Sequence, residues 1–224
     1  MTQHRSTTQA DTRRLRQSFL LAASFAVALW LIKLLEVSFD LNLVQYGVYP
    51  RQLSGLMGIL AAPLIHSSLT HLFANSAPII ILGTALLYGY PKSARIVIPS
   101  IYVGSGFGVW LFARSSYHIG ASGLTFGMMF FIFTIGALRW DRRAIALALV
   151  VFFLYGGMLW GIFPSKPNIS FESHFFGAFM GVVLAFLLTH HDPAPTEKRY
   201  SWEDEQDELA VEDESSTKVG AWLH

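Results

Sequence analysis

Residues 119–138 read IGASGLTFGMMFFIFTIGAL. The stretch carries no charged side chain, and a helix of about 20 residues, rising about 1.5 Å each, covers the roughly 30 Å hydrocarbon core of a bilayer. Lipid offers the backbone no water to bond, so a helix that pairs its own N–H and C=O groups is the form such a segment takes. At its head, Gly120-Ala121-Ser122-Gly123 sets a small, unhindered hydroxyl at the start of the apolar run. A serine there acts as a nucleophile only with a base in hydrogen-bond reach. A candidate base, His174, opens a later apolar segment and is followed by Gly177 and Gly181.

Four more runs are long enough to span, at 69–90, 96–113, 144–163 and 171–189, and a sixth, 19–37, carries Lys33 and Glu36 near one end. The first run lacks a small-residue cleavage site and reads as an anchor, not a cleaved signal. The expected fold is an all-α membrane bundle of six transmembrane helices. Residues 53–65 are apolar but too short to cross, so they are expected to form an interfacial or re-entrant external loop. Composition agrees: 53% of the 224 residues are hydrophobic and only 14% charged, which points to a polytopic membrane protein. The absence of cysteine excludes disulfides, thiolate nucleophiles and cysteine-held metals. Nothing suggests nucleic-acid binding.

The basic residues give an orientation. Arg5, Arg13, Arg14 and Arg16, then Lys92 and Arg95, then Arg139, Arg142 and Arg143 all fall on one side of the predicted bundle, against Arg51, Arg114 and Lys166 on the other. The positive-inside rule then puts both termini in the cytoplasm, and we expect an integral protein of a bacterial cytoplasmic membrane. Residues 1–18 read as a basic cytoplasmic tail and 19–190 as the membrane domain. Residues 191–224 hold ten of the fifteen acidic side chains, with Pro193 and Pro195, and read as a disordered cytoplasmic tail.

In this topology His71, Asn75, Ser122 and His174 all lie roughly 22 to 28 Å from the inner boundary, counted at about 1.5 Å per residue. Polar groups aligned at one depth on separate helices usually line a cavity, here one open to outside water. Each has a plainer reading alone. Gly123/Gly127 and Gly177/Gly181 are small-xxx-small patterns that let helices pack closely, and a serine among them can serve packing only. Leu124 also breaks the G-x-S-x-G elbow of soluble hydrolases. His174 could bond a loop carbonyl, and Asn75 could be interhelical glue. Together they differ: His71 and Asn75, four apart, share a helix face and can donate to one point, as an oxyanion hole requires. Ser122 sits at a helix N-terminus, where free N–H groups favour developing negative charge.

With these residues in place the chain resembles the rhomboid intramembrane serine proteases. The family's H-x4-H-x3-N appears as His66, His71 and Asn75 in HSSLTHLFAN, its G-x-S-G as Gly120, Ser122 and Gly123, and its H-x2-G-x3-G as His174, Gly177 and Gly181. The resemblance implies a serine endopeptidase with a Ser122–His174 dyad, no acidic third member and no cofactor or metal. It implies an oxyanion hole of His71, Asn75 and the Ser122 N–H, an aromatic at Phe126 packed on the dyad histidine, and His66 steadying the preceding loop. The partners implied are the lipid bilayer and transmembrane protein substrates, cut near the outer boundary after a small residue and before a helix-destabilising stretch.

Some positions depart from the family pattern. A Trp-Arg pair common in the family about nine residues before the first signature histidine is replaced by Met57 and Gly58. We therefore expect the 53–65 segment to be held by buried apolar area, with Leu56, Met57, Ile59 and Leu60 in lipid or against helices and Arg51 left at the water interface. Glu172, two residues before His174, reads as a solvated residue at the membrane edge, and His118 as a loop residue. Two other classes stay open: a proteolytically inactive rhomboid-like chaperone or scaffold, and an intramembrane metal-dependent hydrolase using His66, His71, His174 and Glu172. Against the second, no H-E-x-x-H occurs. A transporter would place its polar cluster at the midplane.

Overall fold

A computed structural model describes residues 2–164 and 169–192, with side chains from residue 9. The acidic tail predicted from residue 193 onward, and Lys166, lie outside the described residues. Among the described residues seven α-helices follow one another: α1 Thr2–Ser38, α2 Gly58–Ala61, α3 Leu69–Gly89, α4 Pro91–Phe112, α5 Ser122–Arg139, α6 Arg142–Tyr155 and α7 Phe171–Leu187. Short 3-10 turns fill the α1–α3 connection, and a longer one, Gly156–Ile162, continues α6. Among the described residues there is no strand, only an isolated bridge between Val48 and His118.

Among the described residues five helical stretches are long and apolar enough to cross a membrane: Gln9–Ser38, Leu69–Gly89, Pro91–Phe112, Ser122–Arg139 and Arg142–Ile162. The sixth predicted span, 171–189, is the shorter apolar helix α7, which ends at Leu187. The basic residues of 1–18 continue α1 without a break.

The helices are arranged around α5, 67% of whose apolar window is buried, against 6% for that of α6. The sequence explains this. Gly123 and Gly127 of α5 face Gly177 and Gly181 of α7, and a Cβ on Gly177 or Gly181 would overlap the carbonyl oxygen of Gly123 or Gly127. Small residues replace side-chain contact with backbone contact, the close packing available to helices in lipid. Below this seam Ile101 of α4, Phe131, Ile132 and Ile135 of α5, and Leu82 and Leu86 of α3 form a fully buried core.

The chain tightens one end of the bundle with a cap from a distance. The Asp192 carboxylate accepts from the N–H groups of Lys92 and Ser93 at 2.8 and 2.9 Å, satisfying donors in the first turn of α4. Its carbonyl accepts from Arg139 Nη1 at 2.8 Å, so the end of α7, the start of α4 and the end of α5 meet at one residue.

The α1–α3 connection corrects one expectation. Ile59 is buried beside Gly106 of α4, while Leu53, Met57 and Leu60 point outward, Met57 at 72% exposed, so apolar area does contribute on one side. Arg51 is exposed, yet it also tethers the segment. Its Nη1 donates to the Ala113 carbonyl at 2.9 Å and its Nη2 to Ser115 Oγ at 3.3 Å. Its backbone N–H donates to the Trp110 carbonyl at 2.9 Å, and Trp110 Nε1 donates to the Gln52 carbonyl at 2.8 Å. A cation meeting unpaired carbonyls at the C-terminal end of α4 is a polar anchor. Gly58 shows why no side chain stands there: a Cβ would overlap the Gly47 carbonyl where the two backbone stretches cross.

Candidate active site

The site is built at the start of α5. Gly120 has φ +106°, a conformation that glycine tolerates freely, and it turns the chain so that Ser122 becomes the first helical residue. The turn is held from below: the Gly120 N–H donates to the Ala62 carbonyl at 2.8 Å and the Ala121 N–H to His66 Nε2 at 3.4 Å. His66 itself is 1% exposed, and its backbone carbonyl accepts from Lys33 Nζ, which also pairs with Glu36, both at 2.9 Å. Lys33 and Glu36, read as end-of-helix charges, thus form a buried tie between α1 and the loop that carries the site. Burial, and next the charge of His71, holds the His66 imidazole down from its usual 6.5 to about 4, so it stays neutral and able to accept.

Ser122 and His174 meet across the glycine seam, with Ser122 Oγ 2.9 Å from His174 Nε2. The other ring nitrogen, Nδ1, lies 2.8 Å from the Gly161 carbonyl oxygen. A carbonyl can only accept, so Nδ1 carries the proton of the neutral imidazole and Nε2 is left to accept from the serine hydroxyl. Phe126 stacks on the His174 ring, centroids 4.1 Å apart and planes within 4°. A Cβ on Gly161 would come within 2.7 Å of the Phe126 ring, so the carbonyl reaches Nδ1 only because this residue has no side chain. In the sequence Gly157 and Gly161 form one more small-xxx-small pattern, which marks Gly161 for helix packing only; the role of its backbone carbonyl leaves no mark there.

A Cβ on Gly120, two residues before Ser122, would meet His71 Nε2 at 3.0 Å and Asn75 Nδ2 at 3.9 Å, so both groups lie beside the turn that carries Ser122. His71 Nδ1 lies 3.1 Å from Ser67 Oγ, and Asn75 Nδ2 gives one hydrogen to the His71 carbonyl at 3.3 Å, keeping a second. With the Ser67 hydroxyl donating to Nδ1, Nε2–H becomes a donor toward Gly120. The helix-start N–H groups of α5 add donors with no intrahelical acceptor. The arrangement can move a proton from a hydroxyl to an imidazole and receive negative charge on an adjacent oxygen.

Two neighbours differ in outcome. Glu172 is not a solvated edge residue: it is 7% exposed, and its Oε1 lies 3.4 Å from the Arg114 N–H and 3.5 Å from Arg114 Nε. The spacing of two does turn it away from His174, but toward the end of α4 instead of water. His118 is a buried loop residue with both ring nitrogens engaged. Nε2 donates to the Arg114 carbonyl at 3.0 Å, and Nδ1 accepts from Ser170 Oγ at 2.6 Å. Among the described residues no three His, Asp or Glu side chains come together as metal ligands. His66 and His71 stand edge to face, 5.1 Å apart.

Comparison with known proteins adds two findings. A family profile described as the Rhomboid domain matches residues 53–191. Uncharacterized proteins of Mycobacterium tuberculosis and Mycobacterium bovis are each 34% identical over 175 residues, 74% of this chain and 73% of theirs. One from Mycobacterium leprae is 31% identical over 178 residues, 74% of this chain and 69% of its own.

Proposed function

The chain belongs to the rhomboid family, and from that we propose that it is an intramembrane serine endopeptidase that cuts transmembrane segments of other membrane proteins. In this reading six helices cross the bilayer, α7 being the sixth, both termini are cytoplasmic, and the cluster around Ser122 opens toward the outer side. The observation that carries the reading is the 2.9 Å contact between Ser122 Oγ and His174 Nε2, with Nδ1 committed to the Gly161 carbonyl.

As Ser122 Oγ attacks a peptide carbonyl carbon, its proton passes to Nε2, a transfer worth about 10²- to 10⁴-fold in rate. The carbonyl oxygen becomes an oxyanion, received by His71 Nε2–H, the free Asn75 amide hydrogen and the N–H of Ser122. His174, then a cation, gives the proton to the departing amine, and the C–N bond breaks to leave an ester on Ser122. Water, deprotonated by the same nitrogen, attacks the ester and releases the acid. A helical substrate bond is already hydrogen-bonded and covered, so the segment cut must unwind locally, which favours helix-breaking stretches near the outer boundary.

The inactive-scaffold reading is weakened by the presence of both Ser122 and His174 in bonding contact, and the metal reading by the lack of a converging donor set among the described residues. In liposomes, wild type should cleave a model transmembrane substrate while Ser122→Ala and His174→Ala, folded and inserted, should not. Cleavage by Ser122→Ala would sink the serine mechanism, and activity lost to a chelator and restored by zinc would favour the metal hydrolase.

A further inference from the structure

Away from the site, an apolar cleft of about 460 Å³ opens among α1, α3, α4 and α5, lined by Leu21, Phe25 and Ala28 of α1, Gly83 and Leu87 of α3, and Ile98 of α4 among others. Ser24 also lines it, but its hydroxyl is spent on the Leu21 carbonyl of its own helix at 2.8 Å. The walls therefore offer an occupant no free hydrogen-bond donor. A transmembrane helix does not fit: at 10–12 Å across, it needs on the order of 800 Å³ for each 10 Å of length. A single acyl chain is thin enough.

The inner mouth of the cleft is basic. Arg14 lies seven residues before Leu21 on the same face of α1, about 10 Å toward the N-terminal end, and Arg95 lies three before Ile98 on α4, about 5 Å toward its start. Both charges thus stand beyond the apolar walls at the end where a headgroup would emerge. The Arg14 guanidinium lies 5.9 Å from the centroid of the Tyr88 ring, next to the wall residue Leu87, and Arg95 is exposed. We propose that this cleft holds an anionic glycerophospholipid of the cytoplasmic leaflet, one acyl chain between α1 and α4 and its phosphate on Arg14 and Arg95. The proposal rests on the membrane orientation above but not on Ser122 chemistry, so proteolysis is not the readout.

The chain has no cysteine, so a single Ala28→Cys carrying a bimane fluorophore reports on the cleft, and Phe153→Cys on the exposed face of α6 reports on bulk lipid. In phosphatidylcholine vesicles, acyl-brominated phosphatidylglycerol should half-quench the Ala28 reporter at a several-fold lower mole fraction than brominated phosphatidylcholine does. At Phe153 the two quenchers should match. Arg14→Gln with Arg95→Gln should bring the two Ala28 curves together, and Arg14→Lys with Arg95→Lys should keep them apart. Equal quenching by both lipids at Ala28, the same preference at Phe153, or a preference that survives the double glutamine variant would overturn the proposal.

Discussion

For His174 the Gly161 carbonyl takes the place that a carboxylate holds in a three-membered triad: it accepts the Nδ1 proton and fixes which nitrogen faces the serine. A neutral acceptor stabilises the imidazolium less, so orientation is its main contribution. Gly161→Ala should therefore lower turnover by tenfold or more while leaving the melting temperature nearly unchanged, because the added methyl meets the Phe126 ring and lifts the carbonyl from Nδ1. Unchanged turnover would show that the carbonyl does not hold the ring. On the opposite wall, Asn75→Ala and His71→Ala should each cost about 10²–10³ in turnover with little change in the Michaelis constant, since their bonds strengthen only as charge develops. A rise in the Michaelis constant alone would make either residue a binding group. Ser122, His71, Asn75 and His174 were legible because polar side chains inside apolar runs need a reason. The role of Gly161 was not, since its working atom is one that every residue has and its spacing from Gly157 spoke only of packing. Glu172 was misread because a spacing of two shows only which way it does not point; Arg114, which it meets, is 58 positions away in the chain.

Among the elements, the α5–α7 seam sets the distance between hydroxyl and imidazole. Gly177→Ala or Gly181→Ala puts a methyl against a carbonyl oxygen of α5, and overpacking of this kind costs about 1–3 kcal/mol. Activity should vanish at temperatures where the protein is still folded, because the helices part by more than the hydrogen bond tolerates. Full activity in Gly177→Ala would mean that the seam does not position the pair. The same glycines stood out in the sequence at helical spacing, and the ends of α5 and α7 lie within three residues of their apolar runs, whereas α1 reaches back to Thr2, well before the run that starts at residue 19. The anchoring of the α1–α3 connection did not. Arg51 was expected only to sit at the water interface, yet it also bonds the Ala113 carbonyl, sixty-two positions on. Arg51→Gln should consequently loosen this segment and lower the melting temperature, and Ile59→Asp should do so more than Met57→Asp, because Ile59 is buried and Met57 is not.

For the whole molecule, the neutral His66 couples the fold to pH. The unfolded chain takes up this proton near 6.5 and the folded chain only near 4, so between those values the unfolded state binds more protons and stability falls as pH is lowered. Burial holds the His118 pKa down as well, with the same sign. The melting temperature should drop between pH 7 and pH 5, and His66→Gln should flatten that slope; an identical slope in the variant would remove His66 as its source. The bundle as a whole gathers four polar side chains from three helices, and in the proposed function Ser122 among them is a nucleophile. That is tested most directly by treating the reconstituted protein with a fluorophosphonate and mapping the adduct by mass. A phosphonyl adduct on Ser122, absent from His174→Ala and Ser122→Ala, is the predicted result. Folded wild-type protein that stays unlabelled, or that labels as fully in Ser122→Ala, would contradict it.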